Sequence, residues 1–103
     1  MKKVINGKLY NTETAEEVAS WTNGYTTQDF NYCEETLYRT KNGNYFLHGF
    51  GGALSKYAVP VPGGTGGEHK IIPLDKDGVI EWMENTDNVD ILLQLFPDDI
   101  EEA

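Results

Sequence analysis

The only cysteine of the chain, Cys33, is the first candidate for a chemical role. With His48 and a carboxylate such as Glu34 or Glu35 it would supply a thiol nucleophile, a base and an orienting group. The residues around Cys33 form no nucleophile signature, and a lone cysteine of this kind is typically a small, half-buried side chain. We therefore predict no thiol catalysis and no internal disulfide, which fits a reducing, cytoplasmic setting.

Other ligand-binding patterns in the sequence are incomplete. Residues 48–52 are similar to an oxyanion loop, but the chain has no Gly-x-Ser-x-Gly motif to use it. Neither glycine cluster ends in the Gly-Lys-Ser/Thr of a phosphate-binding loop. Residues 75–78 look like the start of a calcium loop, yet its twelfth position is Thr86 rather than glutamate. His48 and His69 lack a zinc-ligand spacing. The sequence predicts no catalytic residue, no cofactor and no metal.

Acidic side chains are the most informative chemical feature. The chain holds 17 acidic and 8 basic residues, for a net charge of −9. Residues 75–103 hold ten of the acids and a single lysine, so they carry the whole net charge, while residues 1–74 are balanced. Such a one-signed region can attract a basic protein surface and repels the phosphates of nucleic acid. The alternative is a solvated acidic tail that keeps the protein in solution.

Two helices are predicted in this acidic third. With Asp75 as N-cap, the first helix places its apolar residues on one side and its acids on the opposite side. The apolar side consists of Val79, Trp82, Met83 and Thr86, and the opposite side of Asp77, Glu81, Glu84 and Asn88. Its carboxylates could contact a basic partner.

The second predicted helix runs from about Asp87 to Phe96, where Pro97 ends it. Val89, Leu92, Leu93 and Phe96 share one face, and Ile91 and Leu95 share another. One helix of a small domain rarely has core for both faces. Ile91 and Leu95 are therefore expected either to contact another chain, a second copy in a homodimer or a foreign partner, or to pack beneath the sheet. Residues 98–103 are expected to form a disordered tail.

The rest of the chain predicts hairpins and one helix. Asn-Gly pairs centre two hairpins, over residues 4–10 and 36–48. Thr14 and Glu17 form a capping box, which predicts a helix from Thr12 or Thr14 to Trp21. Further strands are expected over residues 54–61 and 70–74, where Pro73 favours a sheet edge. Residues 62–67 are glycine-rich, so they are expected to be mobile or held by a partner.

These elements predict a single small α+β domain. It has an antiparallel sheet of about four to five strands built from hairpins, one N-terminal helix and two C-terminal helices. No apolar run exceeds three residues, so we expect no membrane span and no signal peptide.

The second hairpin supports a competing hypothesis of nucleic-acid binding. Tyr38, Tyr45 and Phe46 stand beside Arg39 and Lys41, which is the composition of a small base-stacking platform. The same aromatic residues would equally serve a half-buried sheet. The acidic balance of the chain favours the second interpretation. A third alternative is a structural or oligomeric module of a mobile element.

Several segments resemble a family of small proteins carried on phages, plasmids and other mobile elements of Gram-positive bacteria. The matching segments are INGKLYNTETA at residues 5–15, YCEETLY at 32–38, GNYFLHG at 43–49 and GGALSKY at 51–57. The chain looks like the branch that includes anti-CRISPR proteins acting on the RNA-guided nuclease of type II-A systems. The resemblance spans residues 4 to about 86.

The resemblance implies a non-enzymatic inhibitor that binds a CRISPR effector nuclease in the cytoplasm of a bacterial host. Such a nuclease holds guide RNA and target DNA in positively charged channels. The expected contacts are therefore the carboxylates of Asp77, Glu81 and Glu84, with apolar neighbours supplying affinity. No membrane and no direct nucleic-acid partner is expected.

Overall fold

The protein, described here over all 103 residues by a computed structural model, contains eight strands and two α-helices. A four-stranded antiparallel sheet of order β3-β4-β5-β8 forms its centre, and β1-β2 and β6-β7 form two separate hairpins. The elements are β1 (Lys2–Ile5), β2 (Lys8–Asn11), β3 (Glu16–Thr22), β4 (Cys33–Arg39), β5 (Tyr45–Gly51), β6 (Val59–Val61), β7 (Gly64–Gly66), β8 (Glu68–Leu74), α1 (Lys76–Asn85) and α2 (Val89–Leu95), followed by a 3₁₀ turn (Pro97–Asp99). The α+β class and the antiparallel sheet are confirmed.

Both helices cover one face of the central sheet. Successive residues of a strand point to opposite faces, and the register aligns Leu37 of β4 with Leu47 of β5 and Ala19 of β3. These three side chains meet the apolar side of the helices, so a single core forms between the two layers. Its buried members are Ala19, Leu37, Leu47, Val79, Trp82, Met83 and Leu92.

The first hairpin covers part of the opposite face of the sheet. Tyr10 of β2 packs edge-on against Phe46 at 5.4 Å, and Tyr38 stacks on the same ring at 5.3 Å. Phe46 is completely buried, and Ile71 of β8 completes this second, smaller cluster. The sheet is therefore covered on both faces only where this second cluster lies.

The two Asn-Gly hairpins are confirmed. In the first, Asn6 and Gly7 both adopt positive φ, 51° and 76°, which is the backbone conformation of a type I′ turn. In the second, Gly43 has φ 83° and Arg39 pairs with Tyr45. Pro73 lies on β8, which is an edge strand as predicted from its missing N–H.

The predicted N-terminal helix is wrong, because the segment forms the edge strand β3. The register between β3 and β4 shifts between Glu17 and Ala19, so a bulge at Val18 interrupts the alternation. As a result the consecutive residues Val18 and Ala19, together with Trp21, all contact the helix-side core. Three inward residues at this spacing imitate one face of a helix, which explains the error.

The glycine-rich segment also differs from the prediction. Residues 62–67 were expected to be mobile or held by a partner, but they form the turn and second strand of the β6-β7 hairpin. The hydroxyl of Thr65 donates a hydrogen bond of 2.8 Å to the carbonyl of Ala53, which ties the hairpin to the main body. The strand expected over residues 54–61 is reduced to its last three residues and does not join the central sheet.

The start of the tail contacts the domain, in contrast to the disordered tail expected for residues 98–103. Asp99 forms an ion pair of 2.8 Å with Lys76 of α1, and Ile100 packs against the main core. Residues 101–103 are exposed and have no regular structure. Neither helix has the length and apolar composition that a membrane crossing requires.

Candidate functional site

The carboxylates of Asp77, Glu81 and Glu84 line one side of α1, and we call them the acidic face. Burial of Val79, Trp82 and Met83 fixes the rotation of the helix about its axis, so this face points to solvent. All three acids are exposed. The three ion pairs of the protein involve other carboxylates, those of Glu16, Glu35 and Asp99. The structure thus displays the predicted acids together and without basic partners.

The start of α1 is fixed by its cap. The side chain of Asp75 accepts a hydrogen bond of 2.8 Å from the backbone N–H of Gly78. Such a cap satisfies one of the free N–H groups of the first turn, and the carboxylates of Asp75 and Asp77 also interact favourably with the helix dipole. The acidic face therefore begins on a well-defined helix end rather than on a frayed one.

A pocket of about 400 Å³ lies between α1 and the sheet, next to the acidic face. We call it the helix–sheet pocket. Its walls come from β5, β8, α1 and the loop before β6. Its lining includes Leu47, Ile72, Lys70, Glu81, Trp82 and Asn85, and the buried Glu35 lies at its inner end.

Glu35 is a buried carboxylate with three donors. It is 3% exposed and forms an ion pair of 3.0 Å with Lys56. The indole N–H of Trp82 donates to its other oxygen at 3.1 Å, and the hydroxyl of Tyr57 donates a short hydrogen bond. Because a buried charge must be paired and hydrogen-bonded, these contacts bind β4, α1 and the loop before β6 to one another.

Tyr57 reaches Glu35 only because residue 49 is glycine. Gly49 is the register partner of Glu35, and the ring of Tyr57 occupies the space that a side chain at position 49 would fill. Burial raises the pKa of Tyr57, and its hydrogen bond to the Glu35 carboxylate raises it further. The phenol therefore remains a hydrogen-bond donor to Glu35 over the physiological pH range.

The components of a thiol nucleophile do not come together. Cys33 is buried and alternates with Glu35 and Leu37 on the helix side of β4. His48 is paired with Thr36, so it points to the opposite face of the sheet. Burial raises the pKa of Cys33, and the nearby carboxylate of Glu35 raises it further. The thiol is thus kept in its unreactive, protonated form.

His48 instead contacts His69, although the two are 21 residues apart in sequence. Their ring nitrogens Nε2 and Nδ1 are 3.0 Å apart, with the rings tilted by only 15°. One nitrogen must donate and the other accept, so the hydrogen bond requires that only one of these two nitrogens carries a proton. Burial lowers the pKa of His48, and the adjacent ring of His69 lowers it further.

The aromatic residues of the second hairpin are used within the protein. Tyr38 stacks on the buried Phe46, and Tyr45 packs against Phe96 at 6.2 Å. The guanidinium of Arg39 forms an ion pair of 3.1 Å with Glu16. A base-stacking platform needs free ring faces beside free cations. The observed contacts therefore favour the alternative interpretation, in which these residues stabilise the sheet.

The inner side of α2 differs in part from the prediction. Ile91 and Leu95 were expected either to contact another chain or to pack beneath the sheet, and both are partly buried against the main core. Val89 and Leu93, expected to face the core, are 53% and 44% exposed. Leu92 is buried as predicted. The apolar pair that α2 offers to solvent is thus Val89 and Leu93, four residues apart.

Two clusters were not predicted from the sequence. The period-two pattern of β4 did carry a signal for Glu35. Residues two apart on a strand share a face, so Glu35 had to be buried beside Leu37. The N–H of a buried Trp82 likewise needed an acceptor. No sequence signal placed Tyr57 over Gly49 or His69 beside His48, because both contacts depend on how separate segments are arranged in space.

Comparison with known proteins finds no relative of this chain: no family model, no curated protein and no solved structure matches it.

Proposed function

We propose that this protein is a stoichiometric inhibitor that binds a basic, nucleic-acid-binding surface of another protein. The observation that carries the proposal is the acidic face of α1, whose three carboxylates are exposed and free of ion pairs. The −9 charge of residues 75–103 extends the negative field around it. A concentrated field of one sign steers an oppositely charged partner and fixes its orientation.

The spacing of the acids suits competition with nucleic acid. Residues three and four apart on a helix have Cβ atoms roughly 5–6 Å apart, comparable to successive phosphates along a strand. Asp77, Glu81 and Glu84 have this spacing. A helix of this kind can occupy lysine and arginine side chains that otherwise contact phosphates.

The proposed partner is the RNA-guided nuclease of a type II-A CRISPR system. The partner follows from the resemblance of four segments of the sequence to anti-CRISPR proteins of Gram-positive mobile elements. Such a nuclease offers basic channels for guide RNA and target DNA. The proposed mode of inhibition is occupation of one of these channels by the acidic face of α1.

The proposal is tested by co-purification with a type II-A nuclease, with and without its guide RNA. We expect the wild-type chain to bind in at least one state, more tightly at low than at high salt. The triple variant Asp77→Asn, Glu81→Gln, Glu84→Gln should bind about tenfold more weakly or worse, since three favourable charge contacts are lost. Affinity is measured by biolayer interferometry, and inhibition by cleavage of a target plasmid.

A control variant with the same net charge as this triple variant tests whether the position of the acidic residues matters. Glu13→Gln, Glu17→Gln, Glu68→Gln also removes three exposed carboxylates, none of them on α1 or elsewhere in residues 75–103. It should bind and inhibit like the wild type. If the two triple variants are equally affected, total charge rather than the acidic face is responsible. If the wild-type chain binds no type II-A nuclease, the proposed partner is wrong.

A further inference from the structure

The apolar core of the protein continues into the helix–sheet pocket without being covered. Leu37, Leu47 and Ile72 form one row across the sheet in register. The first two are 0% and 5% exposed, whereas Ile72, at the β8 end of the row, is 37% exposed. Leu47, Ile72 and Trp82 of α1 line the pocket, so the pocket lies at the less covered end of this row.

The charges around the pocket cancel. Lys56 is paired with Glu35 at its inner end, and Lys70 and Glu81 stand as one base and one acid among its lining residues. Neither a cation nor an anion would therefore gain enough from the pocket to offset the loss of its hydration. An uncharged apolar side chain loses no such hydration and gains by covering Ile72 and the ring of Trp82.

The charges on the surface just outside the pocket do not cancel. Glu81 belongs both to the pocket lining and to the acidic face, so Asp77 and Glu84 lie along the same side of the helix, next to the opening. A segment that enters the pocket and also lies along α1 meets these carboxylates. Charge complementarity then requires basic residues beside the apolar one.

We infer that the helix–sheet pocket receives an apolar side chain of the nuclease, of the size of leucine, methionine or phenylalanine, carried on a basic segment that contacts the acidic face. This inference rests on the proposed function. The volume of the helix–sheet pocket, about 400 Å³, is ample for one such side chain. Protein interfaces commonly take most of their affinity from a few side chains seated in well-packed pockets, and an aromatic or aliphatic anchor with a polar rim is one such arrangement. The pocket supplies affinity, and the acidic face supplies orientation.

The test changes the floor of the pocket and leaves its charge unchanged. Ile72→Gln should weaken binding to the nuclease about tenfold, by the same factor at low and high salt, because apolar burial is not screened. Val89→Gln is the matched control, since Val89 is also an exposed apolar residue but lies on α2 away from the pocket. It should bind within about twofold of the wild type.

A second variant and a direct reporter keep the test decisive if Ile72→Gln perturbs folding. Asn85→Trp places a large ring at the opening of the pocket from an exposed helix position and should weaken binding equally. With 5-fluorotryptophan labelling, the ¹⁹F signal of Trp82 should shift on binding, while that of Trp21, which lies outside the pocket, should not.

Each outcome decides between the two proposals. If the nuclease binds the wild type and both pocket variants equally, or if the pocket variants lose affinity only at low salt, the inference is wrong and the proposed function stands. If the wild type does not bind the nuclease, the proposed function is wrong and the inference falls with it.

Discussion

At the scale of single residues, the protein depends on one buried carboxylate. Glu35 is 3% exposed, and Lys56, Tyr57 and Trp82 all donate to its carboxylate. These donors come from two segments far from β4 in sequence. Glu35 therefore fixes where α1 and the loop before β6 sit on the sheet, and with them the position of the acidic face.

Replacing Tyr57 by phenylalanine should destabilise the fold. The change keeps the ring over Gly49 but removes one donor from a buried carboxylate, which costs about 1–3 kcal/mol of the free energy of unfolding. Tyr25→Phe is the control, because Tyr25 is 51% exposed, and we expect less than about 0.5 kcal/mol there. Urea denaturation at neutral pH measures the free energy of unfolding of both variants. Equal losses would show that the hydrogen bond from the Tyr57 hydroxyl to Glu35 does not stabilise the fold.

At the scale of elements, α2 is a short helix whose position depends on its buried side. Leu92 is 6% exposed and belongs to the main core, with Ile91, Leu95 and Phe96 packed around it. Its N-cap residue Asn88 makes no side-chain hydrogen bond to the first turn. Seven residues without a cap are too few to be stable alone, so tertiary packing must hold the helix.

The adjacent leucines of α2 provide a test of this arrangement. Leu92→Ala should lower the free energy of unfolding by about 2–4 kcal/mol, because it leaves a cavity in the core. Leu93→Ala makes the same chemical change at a position 44% exposed and should cost less than about 1 kcal/mol. Thermal and urea unfolding of the pair measure the difference. Similar losses at both positions, or a larger loss at Leu93, would contradict the observed face of α2.

At the scale of the whole molecule, the protein is flat and its charge is uneven. Its extents are 49 × 35 × 19 Å, and 16 of its 103 residues are buried, so little of the chain lies far from solvent. The first hairpin carries Lys2, Lys3 and Lys8, all exposed, whereas the excess of carboxylates belongs to residues 75–103. Such a charge distribution favours contact with a basic partner through the C-terminal third.

The purified protein alone should not bind guide RNA. Its net charge of −9 opposes phosphates, and the aromatic residues of the second hairpin are occupied by internal contacts. A gel-shift assay at physiological salt should show no complex, with the guide-free nuclease and the same RNA as positive control. A clear shift by the protein alone would instead support the nucleic-acid-binding alternative.

The sequence by itself determined the parts of the fold that depend on neighbouring residues. The Asn-Gly pairs specified two hairpins because they accept positive φ, and Asp75 with the spacing of Val79, Trp82 and Met83 specified α1 and its acidic face. These features need only the geometry of a turn or of one helix. The segregation of charge likewise required no structure.

Only the tertiary structure decided the features that depend on contacts between distant segments. The bulge at Val18 turned a helix-like pattern into an edge strand, because pairing with β4 outweighed the local capping preference. Packing against the sheet chose Ile91 and Leu95 rather than Val89 and Leu93 as the inner side of α2. The Glu35 cluster and the pocket beside it form where five segments meet, namely β4, β5, β8, α1 and the loop before β6, and no local sequence pattern predicts such a contact.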